Sequence, residues 1–188
     1  MDPGNQSRAI QAPWRLHYLE AMSATEKKSG PPTPGTGSFL RDFWLDDTSD
    51  EKNLVIVRAQ FGGIGGMILL NAFPYSNGHL LVALGEARPT LLDYEPPQRA
   101  ALWRLTEVAT DLMQRALEPQ GINTGINQGR AAGAGIPQHL HIHLVPRWGG
   151  DVNFMTVVGQ IRVMPASLEA MAERYRKVWT AMRAEYGL

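Results

Sequence analysis

The sequence predicts an α+β domain, a mainly antiparallel sheet packed against one long helix and a C-terminal helix, and three observations carry that prediction. Short β-branched or aliphatic runs broken by glycine-bearing turns fill residues 53–84. Ala101, Leu105, Val108, Leu112 and Ala116 then recur at helical spacing. Two further strand-like runs precede a last helical repeat, an order that sets helices against a sheet instead of alternating them with parallel strands.

The elements follow in chain order. Residues 14–22 (WRLHYLEAM) space Trp14, Leu16, Tyr18, Leu19 and Met22 as a short amphipathic helix, and residues 24–38 are rich in Pro, Gly, Ser and Thr. Residues 1–38 therefore read as an N-terminal arm and linker, and 39–188 as the main domain. Phe39, Phe43 and Trp44 lie on a first strand-like segment. Residues 53–59, 66–70 and 79–84 read as antiparallel strands, punctuated by Gly62-Gly63, Gly65-Gly66 and Asn77-Gly78. The long helix spans 97–117, with Pro96 and Pro97 at its start and Pro119 and Gly121 beyond its end. Residues 122–127 and 140–145 return to strand, with a Gly/Ala-rich loop between them. The closing helix repeats Leu168, Met171, Tyr175, Val178 and Met182, with Pro165 at its first turn.

Composition excludes several functions. The chain has 188 residues, 18 Lys+Arg against 18 Asp+Glu, and no Cys. Zero formal charge removes the strongest argument for a nucleic-acid or anionic-membrane partner, since such partners reward clustered Lys and Arg. Without Cys there are no disulfides, thiolate metal sites or Cys nucleophiles. No apolar run approaches the roughly 20 residues of a membrane span, and MDPGNQSRAI lacks an apolar signal core, so a cytoplasmic location is expected.

Three of the five histidines, His139, His141 and His143, fall within QHLHIHLVPRW. On a strand, alternate side chains share a face, so the three imidazoles line one side while Leu140, Ile142 and Leu144 face the core. Such a row suits zinc binding, nucleophilic attack by a neutral ring nitrogen, or a hydrogen-bonded structural patch. The loop just before it, NQGRAAGAG, includes Gly129, Gly133 and Gly135. Glycines let backbone N–H groups close on a phosphate, which favours a phosphate site over zinc.

The run His139-Leu140-His141-Ile142-His143-Leu144-Val145 matches the signature of the histidine-triad (HIT) superfamily, and LLNAFPYSNGHLLV resembles the strand–turn–strand that opens its nucleotide site. The continuation VPRWGGDVNF is similar to bacterial members of its fragile-histidine-triad branch. The resemblance implies a HIT-like half-barrel sheet and a homodimer. It implies that His141 attacks an α-phosphorus to form a nucleotidyl-histidine, that His143 protonates the leaving group, and that His139 and His79 support the network. Asn71 matches a ribose-binding position and Asn127 one facing the phosphates; Trp148, directly after the triad strand, is placed to close over a base or phosphate. The implied substrate is an adenine nucleotide or dinucleoside polyphosphate, with no obligatory cofactor and Mg²⁺ at most accompanying the substrate. Many bacterial relatives carry a zinc-binding Cys-x-x-Cys where this chain has Ser38-Phe39-Leu40-Arg41, so no structural zinc is expected. Hydrolase, phosphorylase and phosphoramidase chemistry, and a nucleotide-binding sensor with incidental turnover, all remain open.

Overall fold

A computed structural model describes residues 38–151 and 164–188. The expected helix at 14–22, the linker up to residue 37 and positions 152–154 of the signature continuation lie outside them. Five strands, β1 (Val55–Phe61), β2 (Ile64–Leu70), β3 (Leu80–Leu84), β4 (Gly121–Ile126) and β5 (Ile142–Arg147), form one sheet in the order β1-β2-β3-β5-β4, every pairing antiparallel. The helices among the described residues are α1 (Phe39–Leu45), α2 (Pro96–Leu117) and α3 (Leu168–Met182).

Local chemistry explains the punctuation. Gly62 and Gly63 both take positive φ, 60° and 79°, the backbone of a two-residue turn whose twist matches that of the strands it joins. Glu95 and Gln98 form a capping box around the Pro96-Pro97 start of α2.

Strand alternation divides the core in two. Ile68, Leu70, Leu80, Val82, Leu84, Leu140, Ile142 and Leu144 pack with Leu102, Leu105, Val108 and Leu112 of α2 and Met171 and Tyr175 of α3. The opposite face carries Met67, Leu69, Leu81 and Ala83, which pack with Leu40 of α1 and Ile136. The long helix thus covers one face, and α1 covers part of the other.

Three expectations are corrected. The segment holding Phe39, Phe43 and Trp44 is a helix: the Ser38 hydroxyl caps it by accepting the Arg41 N–H at 3.3 Å, and the Phe39 and Phe43 rings meet one turn apart at 5.2 Å. Trp44 lies so close to Gly65 and Gly85 that a Cβ on either would overlap its indole, at 2.3 and 2.2 Å. Pro165 stands outside α3, whose cap is Ser167, the residue that accepts the Ala170 N–H at 3.2 Å. β5 runs on through Pro146, because β3 pairs only with Ile142–Leu144 and a missing N–H costs nothing beyond its end. No helix among the described residues is long and apolar enough to cross a membrane.

Candidate active site

β5 lies between β3 and β4, so its polar face collects residues from both neighbours. His143 pairs with Leu81 on one side and Gly125 on the other. With Leu140, Ile142 and Leu144 committed to the α2 side, His141 and His143 turn to the α1 side. His79, two residues before Leu81, falls on that same face. The His141 and His143 rings lie 4.9 Å apart and those of His79 and His143 5.1 Å apart.

The hydrogen bonds assign every ring its tautomer. Asn71 Oδ1 accepts the Phe73 N–H at 2.9 Å, which turns its Nδ2 toward His79 Nδ1 at 3.2 Å; the Tyr75 N–H donates to the same nitrogen at 3.1 Å. His79 therefore carries its proton on Nε2 and donates to His143 Nδ1 at 3.0 Å. His143 in turn is protonated on Nε2, which is buried and has no hydrogen-bond partner among the described residues. His141 Nδ1–H donates to the His139 carbonyl at 2.9 Å, which leaves its Nε2 a bare lone pair. His139 Nε2–H donates to the Leu84 carbonyl at 2.8 Å, and its Nδ1 accepts the Ser38 hydroxyl at 2.7 Å.

Burial keeps these rings neutral. Desolvation is the main cause in each case. It holds His79 down to about 3, with repulsion from His143 and His141 adding to it. His139 and His143 fall to about 4, and His141 is lowered as well. A ring at its ordinary value near 6.5 takes and gives protons at neutral pH; buried as they are, these rings stay neutral there.

The other predicted residues are placed unequally. Asn71 grips His79 and the loop after β2. The register of β4 on β5 pairs Gly125 with His143 and ends at Ile126 opposite Ile142; Asn127 follows directly, its Nδ2 3.8 Å from where a Cβ on Gly133 would stand. Gly129 and Gly133 take φ of 83° and 87°, which a side chain would strain; Gly135 has neither a positive φ nor a neighbour near a Cβ. His139 does not line a cleft: it is 0% exposed and supports from behind. Trp148 lies past the end of β5, where its backbone N–H is bound to Asp151 at 3.2 Å.

Sequence reasoning missed three supports. Ser38 holds His139 across 101 positions of sequence. Tyr75 stacks on His143 with centroids 5.7 Å apart and planes within 15°. The buried Tyr175 of α3 donates to the Gly78 carbonyl at 2.7 Å, one residue before His79. Only the aromatic in AFPYSNGH, four residues from His79, carried a signal that local reading could have used.

Together these features define an α+β domain built around a neutral, hydrogen-bonded chain of imidazoles. The family model described as the HIT domain matches residues 66–150. An AP-4-A phosphorylase of Mycobacterium tuberculosis is 32% identical over 164 residues, 87% of this chain and 80% of that protein. An asymmetrical bis(5'-nucleosyl)-tetraphosphatase of Schizosaccharomyces pombe is 30% identical over 82 residues, 44% of each chain. The crystal structure of a zinc-bound histidine triad family protein from Mycobacterium smegmatis superposes with a TM-score of 0.60 over 77% of this chain and 96% of its own, at 23% identity. The chain belongs to the HIT domain family.

At the Ser38–Arg41 edge, where the resemblance sets a zinc-binding Cys-x-x-Cys, the side chains present are Ser38 and Arg41 beside His139. Ser38 Oγ and His139 Nδ1 stand 2.7 Å apart, whereas two ligand atoms on a tetrahedral zinc stand roughly 3.3 Å apart or more. The charge of Arg41 disfavours a second cation there and helps to lower His139. A zinc ion held there would have to break this hydrogen bond and sit beside the Arg41 cation.

The four depressed histidines link folding to pH. Unfolded, each binds a proton near 6.5; folded, none does until pH falls toward its own lowered value, so stability rises with pH across that window. Thermal melting is expected to hold level above about pH 7 and to drop steadily from about 6.5 toward 4. A melting temperature flat over that interval contradicts the neutral cluster.

Proposed function

We propose that the protein is a nucleotidyl-histidine-forming enzyme that cleaves dinucleoside polyphosphates at the α-phosphate, diadenosine tetraphosphate being the first substrate to test. One observation carries the reading: the His141 Nδ1–H is committed to the His139 carbonyl at 2.9 Å, so the lone pair of a neutral ring faces outward on Nε2. A neutral nucleophile approaches a polyanionic phosphorus without charge repulsion, and a covalent intermediate divides one hard displacement into two easier ones.

In the first step the Nε2 lone pair forms the N–P bond, and the bond from the α-phosphorus to the bridging oxygen breaks, its electrons leaving with the remaining polyphosphate. The His143 Nε2–H, aligned by the His79 relay, donates a hydrogen bond to the departing oxygen. Bound phosphates bring negative charge that offsets the desolvation holding His143 near 4 and makes its imidazolium accessible during the reaction. Asn127 and the loop through Gly129 and Gly133 supply N–H donors to the non-bridging oxygens. In the second step an acceptor attacks phosphorus, water giving up a proton to solvent as it does so, the N–P bond breaks, and the pair returns to Nε2. Water yields AMP; orthophosphate yields ADP. The AP-4-A phosphorylase relative favours orthophosphate. Mg²⁺ would act only as a companion of the substrate phosphates.

The chain pairs as a homodimer through β4. Among the described strands β4 is an edge, its sequence GINTGI lacks the charge or proline that blunts an edge, and Thr124 shares a hollow with Trp103, Thr106 and Thr110 of α2. Trp103 is half-exposed there, at 47%. Light scattering is expected to give the mass of two chains for the wild type and of one for Trp103→Glu; a monomeric wild type removes the pairing.

His141→Asn is expected to abolish turnover of diadenosine tetraphosphate while titration calorimetry still records nucleotide binding. Chromatography of wild-type products with and without orthophosphate assigns the acceptor, ADP replacing AMP if phosphate is used. Retained turnover in His141→Asn overturns the assignment.

A further inference from the structure

We propose that Ser38 is a positioning residue for the reaction: its hydroxyl locks the ring of His139, and with it the backbone carbonyl that aims the His141 nucleophile. This rests on the functional reading above and adds a residue that touches no reacting atom.

The hydroxyl has one proton and two lone pairs. It accepts the Arg41 N–H at 3.3 Å as the cap of α1, so its proton goes to His139 Nδ1 at 2.7 Å. The other His139 nitrogen donates to the Leu84 carbonyl at 2.8 Å. Both ring nitrogens are therefore held, one by the helix on the open side of the sheet and one by the end of β3. Ser38 and His139 are each 0% exposed, so water cannot stand in for either partner. The backbone beside the ring is bound as well: His139 N–H donates to Ile136 O at 3.1 Å and Leu140 N–H to Arg88 O at 2.8 Å. Between these anchors lies the carbonyl that receives His141 Nδ1–H.

Removal of the hydroxyl leaves a bare Nδ1 in a dry pocket. The ring escapes by shifting its proton or by turning, and either move takes Nε2–H from Leu84. The displaced ring then pulls on the peptide after His139, which Leu140 N–H still ties to Arg88, and tilts its carbonyl off the His141 N–H. Once His141 Nδ1–H is released, the ring can hold its proton on Nε2 instead, a form with no lone pair to attack phosphorus. A metal at this edge would grip His139 by coordination; here a hydrogen bond shorter than a zinc-bridged pair does so, beside the cation of Arg41.

The full-length chain and its Ser38→Ala and Ser38→Thr variants are compared by long-range ¹⁵N–¹H NMR of the imidazoles and by steady-state turnover of diadenosine tetraphosphate. The wild type is expected to show His139 protonated on Nε2 alone. Ser38→Ala is expected to lose that single tautomer and up to about tenfold of kcat, with KM unchanged, the worth of one well-formed hydrogen bond; Ser38→Thr restores both. An unchanged His139 signature with unchanged kcat in Ser38→Ala overturns the proposal, as does a rise in KM alone, which reports only a displaced α1. A wild type that turns over no substrate defeats the functional reading, and the imidazole spectra then still decide whether Ser38 holds His139.

Discussion

The hydrogen bond from His141 Nδ1–H to the His139 carbonyl governs the rest of the site. An imidazole has two equivalent-looking nitrogens, and only the one without a proton can attack. A backbone carbonyl cannot donate, so it fixes the choice irrespective of what the substrate brings. The neighbouring contacts serve that choice. Leu84 and Ser38 hold His139, Asn71 and the Tyr75 amide hold His79, and His79 holds His143, so that one lone pair and one N–H are left over. The arrangement needs no charged residue within the cluster, and burial that suppresses ionisation maintains it.

That neutrality shapes how a polyanion is received. A chain of zero formal charge has no long-range field to draw phosphates in, and uncharged imidazoles do not form ion pairs with them. Recognition falls to short-range donors: ring N–H groups, amides, and the backbone of a loop whose glycines take positive φ. Donors of this kind are already oriented and pay no reorganisation cost when charge builds on the non-bridging oxygens. On the proposed mechanism the negative charge of the substrate moves the cluster toward protonation, which ties the acid function of His143 to occupancy of the site.

Much of this was legible in the sequence. The five strands and the two longer helices follow from periodicity, because a half-buried strand and an amphipathic helix write their faces into alternate and every-third-or-fourth positions. The sharing of one face by His141 and His143 came from the same rule. What escaped depends on distance along the chain or on competing local signals. The seven-residue α1 follows a stretch rich in Pro and Gly, and its cap is a lone serine without the acidic partner that would complete a capping box. Phe39, Phe43 and Trp44 suit a strand as well as a helix, and only the flat backbone at Gly65 and Gly85 explains why the indole lies where it does. The contacts of Ser38 with His139 and of Tyr175 with Gly78 join residues about a hundred positions apart, and no local pattern encodes them. Alternation alone sets His139 in one row with His141 and His143; its ring is instead buried between Ser38 and the Leu84 carbonyl, a placement fixed by residues far away in the chain.

The stereochemical course at the α-phosphorus tests the covalent mechanism most directly. With a dinucleoside polyphosphate made chiral at that atom by sulfur and isotopic oxygen, two successive in-line displacements through His141 predict retention of configuration in the mononucleotide product. Inversion would mean a single direct attack by the acceptor, and would contradict the role assigned to the His141 lone pair.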